Sequence, residues 1–104
     1  MIRKKKVVVG TIGAGYAAAL HGNGYKKVSG VEVVLKTICD LNTQLANKIR
    51  DEFGYSHVEA DFQAVLADPE IDVIDIVLPP FLHVPVAVEA LKAGKHVICE
   101  KPIA

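Results

Sequence analysis

The stretch Val7–Ala18, VVVGTIGAGYAA, joins an apolar run to a glycine-rich turn and then to a run of small residues. Its three consecutive valines favour a β-strand. Gly13, Gly15 and Ala18 follow in the spacing G-x-G-x-x-A, in which the first glycine permits a tight turn and the second lets the backbone approach a ligand. The stretch therefore predicts a strand, a turn and a helix whose free N–H groups face a negative charge, as a dinucleotide pyrophosphate would supply.

Length and composition indicate one small packed domain. The chain has 104 residues, of which 51% are hydrophobic, and its 12 basic and 12 acidic residues balance to zero net charge. This balance provides no overall field to attract nucleic acid or an anionic membrane. The basic residues 3–6 precede the first strand and indicate a solvated lead-in more than a nucleic-acid arm. No apolar run reaches the roughly 20 residues of a membrane span, and no signal-peptide pattern is present, so a cytoplasmic location is expected.

The two cysteines do not form a redox or metal-binding pattern. Cys39 and Cys99 each end an apolar run, and neither a C-x-x-C pair nor another metal-ligand spacing is present. Small buried apolar side chains are therefore expected at both positions, and no metal site is predicted.

Strand patterns and helix patterns alternate along the chain. Apolar, β-branched runs predict a first strand beginning at Val7 and further strands over residues 31–39, 55–58, 73–78 and 96–99. The fourth run is nearly continuous in its apolar character, as is typical of a strand covered on both faces. Alternation of this kind predicts an α/β fold, a doubly wound parallel sheet of about five strands with right-handed crossovers.

The helices between these strands have recognisable ends. The first is expected to be short or frayed at its far end, because Gly22 and Gly24 interrupt it. The second helix is capped by Asn42 or Thr43 and stopped by Gly54. The third is capped by Asp61 and ends before Pro69. The fourth has Pro85 in its first turn and ends before Gly94.

Asp40 follows the second predicted strand, where a doubly wound sheet binds its ligand. A carboxylate at this place accepts hydrogen bonds from both ribose hydroxyls of an adenosine and repels a 2′-phosphate. No arginine or lysine occurs at residues 41–44, so NAD is favoured over NADP. The alternative is that Asp40 only caps the second helix.

Other polar residues near strand ends leave alternatives open. His83 either orients a ligand or is an ordinary residue of a helix turn. Lys101, between a glutamate and a proline, either donates a hydrogen bond or proton to a substrate oxygen or is a solvated lysine. Asp75 interrupts an apolar run and needs a partner if it is buried, and the sequence does not identify one. The remaining histidines are expected to be structural, and His21 is placed on the apolar face of the first helix.

Four segments carry a resemblance to a known family. They are GTIGAGYAA (10–18), ICD (38–40), LPPFLH (78–83) and ALKAGKHVICEKPIA (90–104). The last resembles the A-L-x-x-G-K-H-V-x-x-E-K-P signature of the Gfo/Idh/MocA family, the group of glucose–fructose oxidoreductase and inositol dehydrogenase. Few other dinucleotide-binding families share that run. In this chain Pro79 and Phe81 replace the threonine and asparagine of the family's loop, and Ala18 replaces its third glycine.

The resemblance implies a Rossmann domain of an NAD(P)-dependent oxidoreductase. Such enzymes transfer a hydride between nicotinamide and a carbon that bears a hydroxyl, usually on a sugar, a cyclitol or a related polyol. Lys101 would be the catalytic lysine that binds or polarises the reacting oxygen, and a cis peptide would precede Pro102. The cofactor-binding residues implied are Gly13, Ala14, Gly15, Tyr16, Ala17, Asp40, Pro79, Pro80, His83, Glu100 and Lys101.

Family members continue into a second α/β domain that carries substrate contacts. Residues 1–104 are therefore expected to be the NAD-binding domain alone, which binds the cofactor without turnover. Self-association is expected through the sheet edge at the fifth strand. The alternatives are a dinucleotide sensor without catalysis and a structural fragment whose glycine loop binds nothing. The glutamate–lysine–proline run favours the enzyme, because a sensor has no need of a lysine at the reaction site.

Overall fold

Five strands form one parallel sheet in the computed structural model, which describes residues 5–26, 30–78 and 80–99. The strands are β1 (Lys5–Ile12), β2 (Val31–Cys39), β3 (His57–Glu59), β4 (Val73–Ile76) and β5 (His96–Cys99). The helices between them are α1 (Tyr16–Lys26), α2 (Thr43–Phe53), α3 (Phe62–Ala67) and α4 (Pro80–Lys92).

The strand order places a ligand-binding crevice beside β1. The order in space is β3-β2-β1-β4-β5, so the chain moves outward from β1 to β3, returns to the other side of β1, and moves outward again to β5. Ligands of open α/β sheets bind where the order reverses, at the carboxyl ends of the strands. Here that point lies between β1 and β4. The predicted doubly wound sheet is confirmed.

Two helices cover each face of this sheet. On one face, α1 and α2 form a buried cluster with the sheet, whose members are Ala14, Ala18, Ile38, Ala46, Ile49, Phe53 and Tyr55. On the other, α3 and α4 form a second cluster with the sheet, whose members are Ile12, Cys39, Val65, Leu66, Ile71, Ile74, Ile76, Val86 and Ala90. The side chains of β4 alternate between the two faces, as the pleat of a strand requires. Asp75 consequently lies on the α1 side, between two isoleucines that face α3 and α4.

Helix α1 is longer than its sequence predicts. It continues from Tyr16 to Lys26, past Gly22 and Gly24, so the expectation of a short helix is wrong. The reason is a tertiary contact, because Gly22 packs against the ring of Phe53 so closely that a Cβ atom on Gly22 would lie 2.6 Å from it. Gly22 thus permits close approach of α1 and α2. A Cβ on Gly24 would meet nothing within 4 Å. The expectation of a frayed far end concerns residues 27–29, which lie outside the described ranges.

The ends of α2 and α3 confirm the predicted capping residues. The side chain of Asn42 accepts a hydrogen bond from the N–H of Leu45, and Gly54 adopts a left-handed conformation with φ of 84° at the other end of α2. Asp61 caps α3 by accepting a hydrogen bond from the N–H of Gln63. These interactions satisfy backbone groups that have no partner within a helix.

Other boundaries also differ from the sequence predictions. Strand β1 begins at Lys5, two residues before the predicted start, and β3 ends at Glu59, one residue after the predicted end. Strand β3 begins at His57, because Tyr55 is buried in the core and Ser56 donates its N–H to the carbonyls of β2 residues. Strand β4 ends at Ile76, two residues before the predicted end. Helix α4 begins already at Pro80, where the fixed φ of proline suits a first helical position, and Pro85 therefore lies inside the helix. Within the described parts of the chain, none of the helices is long and apolar enough to cross a membrane.

Candidate functional site

The turn after β1 requires a glycine at position 13. Gly13 has a φ of 106°, which is strained for any residue with a side chain, and its N–H donates to the carbonyl of Cys39 at 2.7 Å. A Cβ atom there would lie 2.8 Å from the carbonyl oxygen of Val77. The backbone therefore passes tightly between the carboxyl ends of β2 and β4 before α1 begins.

Gly15 differs from Gly13, because the protein itself leaves the space around it open. A Cβ atom on Gly15 would meet nothing within 4 Å, and the residue is exposed. Its carbonyl accepts a hydrogen bond from the N–H of Ala18 at 3.0 Å, so α1 starts directly after it. Since the first N–H groups of a helix lack partners within the helix, this start forms a cradle for an anion.

Asp40 connects the glycine loop to the start of α2. One of its carboxylate oxygens accepts the N–H of Ala14 at 2.9 Å, and the other accepts the N–H of Asn42 at 2.8 Å. The interpretation of Asp40 as the cap of α2 is wrong, because Asn42 performs that role through its own side chain. Each carboxylate oxygen has a second lone pair, so Asp40 can still accept hydrogen bonds from a ligand.

A cleft of about 570 Å³ opens beside this carboxylate. Its lining is mostly apolar. It comes from the carboxyl ends of strands and the residues after them, together with one residue each of α3 and α4, namely Ile12, Cys39, Asp40, Leu41, Ala60, Asp61, Phe62, Leu78 and Val86. Leu41 is 90% exposed, an unusual state for a large apolar side chain. Apolar walls with a carboxylate at the rim suit a flat heterocycle attached to a ribose.

Cys39 contributes to this cleft as an apolar side chain. It is 2% exposed, as the sequence predicts, and burial raises the pKa of its thiol to about 12. The thiol therefore stays protonated at neutral pH and is a poor nucleophile. Within the described residues, no group of three or more His, Cys, Asp or Glu side chains is placed to hold a metal ion.

Several predicted site residues lie wholly or partly outside the described structure. Pro80 and His83 belong to the first turns of α4, and Tyr16 and Ala17 to the first turn of α1, but their side chains are not among those described. The predicted residues that lie outside the described ranges are Pro79, Glu100, Lys101 and Pro102. Their assigned roles, and the cis peptide before Pro102, stay predictions.

A buried polar cluster on the α1 face was missed by the sequence analysis. Asp75 is fully buried, and its carboxylate lies 2.7 Å from Nδ1 of His21 and 2.6 Å from the hydroxyl of Tyr25. His21 and Tyr25 are four residues apart and so share one face of α1. That spacing was visible in the sequence, but which strand the face covers depends on the crossover. The placement of His21 on a purely apolar face is therefore wrong.

Two tyrosines of this region are held as neutral hydroxyls. Burial, together with the nearby charge of Asp75, raises the pKa of Tyr25 far above its ordinary value. Burial raises the pKa of Tyr55 to about 12, and its hydroxyl pairs with that of Thr11 at 2.7 Å. Thr11 is the neighbour of Asp75 across the β1–β4 pairing.

A different set of charged groups lies at the amino ends of the strands. Lys95 is 8% exposed, and its ammonium group donates to the carbonyls of Asp68 and Ile71. Lys36 forms ion pairs with Asp68 and Glu70, and the hydrogen bond from Lys36 lowers the pKa of Asp68. These pairs lie away from the strand ends where ligands bind, and we assign them to stability.

Comparisons with known proteins agree with this geometry. Residues 7–104 match the model of the GFO_IDH_MocA oxidoreductase family, described as an NAD-binding Rossmann fold. The levoglucosan dehydrogenase of Pseudarthrobacter phenanthrenivorans is 36% identical over 102 residues, which are 92% of this chain and 26% of that protein. The chain thus spans about a quarter of the length of this relative.

Solved structures of longer, related chains contain the same fold. A levoglucosan dehydrogenase in complex with NADH superposes with a TM-score of 0.79 at 34% identity, over 96% of this chain and 29% of that one. The scyllo-inositol dehydrogenase of Lactobacillus casei, with bound NAD(H) and scyllo-inositol, has a TM-score of 0.83 at 29% identity, again over 96% of this chain and 29% of that one.

Proposed function

Because the chain belongs to the Gfo/Idh/MocA family of oxidoreductases, which bind NAD, we propose that residues 1–104 form a domain that binds this dinucleotide at the carboxyl ends of β1 and β2. The glycine loop and the start of α1 receive the pyrophosphate, and Asp40 receives the adenosine ribose. The apolar cleft beside Leu41 receives the adenine. The residues present fit the cofactor, since the open space at Gly15 and the free lone pairs of Asp40 are what it needs.

One observation carries this proposal most directly. The carboxylate of Asp40 holds the N–H of Ala14, inside the glycine loop, at 2.9 Å. This hydrogen bond fixes the ribose-binding acid next to the anion-binding loop. A dinucleotide needs both groups at such a separation, because its ribose is joined directly to its pyrophosphate.

We further propose that the site prefers NAD to NADP. A 2′-phosphate would approach the negative charge of Asp40, and residues 41–44 supply no arginine or lysine to bind it. Isothermal titration of the protein with each dinucleotide tests the preference. We expect NAD to bind at least about tenfold more tightly, an energy difference of ~1.4 kcal/mol. Equal affinities, or tighter binding of NADP, would refute the preference.

The binding site itself is tested by a variant that the fold tolerates. Gly15→Ala adds a methyl group into space that the protein leaves open, so stability should change little. The methyl group would, however, occupy the place proposed for the pyrophosphate, and NADH affinity should fall at least about tenfold. Gly24→Ala is the matched control, since its methyl group is also unobstructed and lies farther along α1. Unchanged NADH affinity in Gly15→Ala would contradict the proposed site.

The reaction we propose is oxidation of a hydroxyl carbon on a sugar, a cyclitol or a related polyol. Bound NAD supplies the hydride acceptor for this chemistry. In the direction of oxidation, the neutral amine of Lys101 would accept a hydrogen bond from the substrate hydroxyl and receive its proton, with His83 and Glu100 near the nicotinamide. Support comes from the resemblance over residues 90–104 and from the relatives, which are named for levoglucosan and for scyllo-inositol.

A chimera tests this reaction. The 104 residues replace the corresponding segment of the Pseudarthrobacter levoglucosan dehydrogenase, and NADH binding by the chimera verifies that the site has formed. We expect levoglucosan-dependent NADH production, which Lys101→Met should abolish. A chimera that binds NADH but produces none would instead favour the rival hypothesis of a dinucleotide sensor.

For the 104-residue polypeptide by itself, we propose cofactor binding without turnover. It spans only 26% of the levoglucosan dehydrogenase it resembles. We expect the substrate contacts to come from the part of such an enzyme that these residues do not cover. Purified polypeptide should therefore produce no NADH from polyols. Detectable production would refute this proposal.

We also propose that this polypeptide self-associates through the sheet edge at β5. Ile98 on this strand is 43% exposed, and Val84 and Leu91 on α4 are 65% and 61% exposed, which is high for large apolar side chains. A second copy could cover these residues and pair with the edge of β5. Light scattering should show a mass that rises with concentration, and a constant monomer mass would contradict the proposal.

A further inference from the structure

The buried carboxylate of Asp75 attaches α1 to the centre of the sheet. Asp75 lies on β4, next to β1, and is 0% exposed. Nδ1 of His21 lies 2.8 Å from one of its oxygens and 2.7 Å from the other, and the hydroxyl of Tyr25 donates to the second at 2.6 Å. Both partners belong to α1. A carboxylate buried in this way is costly unless it is hydrogen-bonded, so α1 is held in the position that satisfies it.

The attached helix is the one whose first turn forms the proposed anion cradle. His21 lies five residues after Tyr16, about 7.5 Å along the helix axis, so the attachment acts close to the first turn. Among the side chains of α1 that the structure describes, the other packing contacts in this region come from Ala18 and from Gly22, which lies against Phe53. Small side chains allow close approach but supply few contacts that would resist sliding or rotation of the helix.

From these observations we infer that Asp75, through His21 and Tyr25, is a positioning residue that fixes the first turn of α1 for the pyrophosphate of the dinucleotide. The inference rests on the proposed function and adds residues outside the glycine loop and apart from the ribose acid. The three side chains are not among the groups proposed to contact the ligand. They set the orientation of the backbone N–H groups at the start of α1, and a misplaced donor binds an anion less well.

Two tyrosines provide a matched pair of variants. Tyr25→Phe removes the hydroxyl that joins α1 to Asp75. Tyr55→Phe removes a hydroxyl of the same kind, which pairs with Thr11 and does not involve α1. Both variants lose one oxygen atom and one hydrogen bond, which is partly buried at Tyr25 and buried at Tyr55, so both should lower stability. Only Tyr25→Phe should change the position of α1.

The ligands tested are ADP-ribose, which contains the pyrophosphate, and adenosine, which lacks it. We expect Tyr25→Phe to weaken binding of ADP-ribose by about three- to tenfold, the range for substitutions that do not contact the ligand. Adenosine affinity, followed by NMR titration, should change less than about twofold. Tyr55→Phe should leave both affinities unchanged.

A second pair of variants at His21 keeps the test informative if Tyr25→Phe folds poorly. His21→Asn retains a side-chain N–H near the place of Nδ1, whereas His21→Leu has similar bulk and no donor. We expect His21→Leu to lose ADP-ribose affinity as Tyr25→Phe does, and His21→Asn to retain most of it.

The outcomes separate this inference from the proposed function. If the parent protein binds neither ligand, the proposed function fails. If the parent binds both, but Tyr25→Phe lowers both affinities equally or neither, the cluster is only structural and the positioning role is refuted. Equal behaviour of His21→Asn and His21→Leu would also refute it.

Discussion

Replacing Gly22 with alanine should reveal how much of the stability depends on the close approach of α1 and α2. The new methyl carbon would lie 2.6, 2.7 and 2.9 Å from three ring atoms of Phe53. Carbon atoms pack best at about 3.5–4.0 Å, so the ring or the helix must move. The ring is buried, and its Cγ atom is among the three, so rotation of the ring's far end cannot relieve the overlap.

The size of the effect follows from two opposing contributions. Alanine is more favourable than glycine inside a helix by about 0.5–1 kcal/mol. Overpacking of a well-packed core costs about 1–3 kcal/mol. Gly24→Ala gains the first contribution without the second, because its methyl group meets nothing within 4 Å. The difference between the two variants therefore isolates the packing cost, which we expect to be ~2 kcal/mol.

Urea unfolding followed by circular dichroism measures this difference. Gly24→Ala should be slightly more stable than the parent, and Gly22→Ala less stable than the parent by about 1 kcal/mol or more. Combining Gly22→Ala with Phe53→Leu should recover part of the loss, since neighbouring substitutions couple by about 0.5–3 kcal/mol. If Gly22→Ala is as stable as Gly24→Ala, the close contact with Phe53 does not exist in the folded protein.

Three further predictions concern single residues. Gly13→Ala should lower the free energy of unfolding by at least about 2 kcal/mol in urea titrations, because a φ of 106° and a contact of 2.8 Å with the Val77 carbonyl both oppose a side chain; an unchanged midpoint would contradict the turn geometry. Lys95→Met should lower the free energy of unfolding by ~2 kcal/mol in the same assay, because the carbonyls of Asp68 and Ile71 lose their hydrogen-bond donor. A fully stable variant would show that water replaces this donor. The thiol of Cys39, whose pKa is raised to about 12, should react with iodoacetamide at pH 8 at least about tenfold more slowly than a free thiol of pKa ~8.5. It should react quickly once urea unfolds the protein. Mass spectrometry of the alkylated peptide measures the rate, and fast labelling of the folded protein would count against burial of the thiol.

The parts of the fold that sequence predicts well depend on local chemistry. The limits of α2 follow from Asn42 and Gly54, whose side chain and backbone freedom satisfy the helix ends without help from other elements. Gly13 is of the same kind, because its left-handed conformation follows from a tight turn after a strand. The doubly wound sheet then follows from the alternation of strands and helices.

Sequence could not predict features that arise when distant elements meet. Gly22 weakens a helix in isolation but permits contact with Phe53 in the fold, and no local pattern reveals that partner. Asp75 needs a partner, yet only the crossover between β1 and β2 brings His21 and Tyr25 over it. Lys101 shows the opposite situation, since its role rests on a sequence resemblance and lies outside the described residues.

The double hydrogen bonding of Asp40 has a consequence for how cofactor preference evolves in this fold. Exchanging the acid for a residue that tolerates a 2′-phosphate also removes the acceptor for the N–H of Ala14. A protein that changes its dinucleotide preference in this way must therefore supply a new hydrogen-bond acceptor for the glycine loop, or its glycine loop is held less firmly. With the role proposed for Asp40, ligand choice and loop architecture would be inherited together, and a single substitution at position 40 would be a poor route from one cofactor to the other.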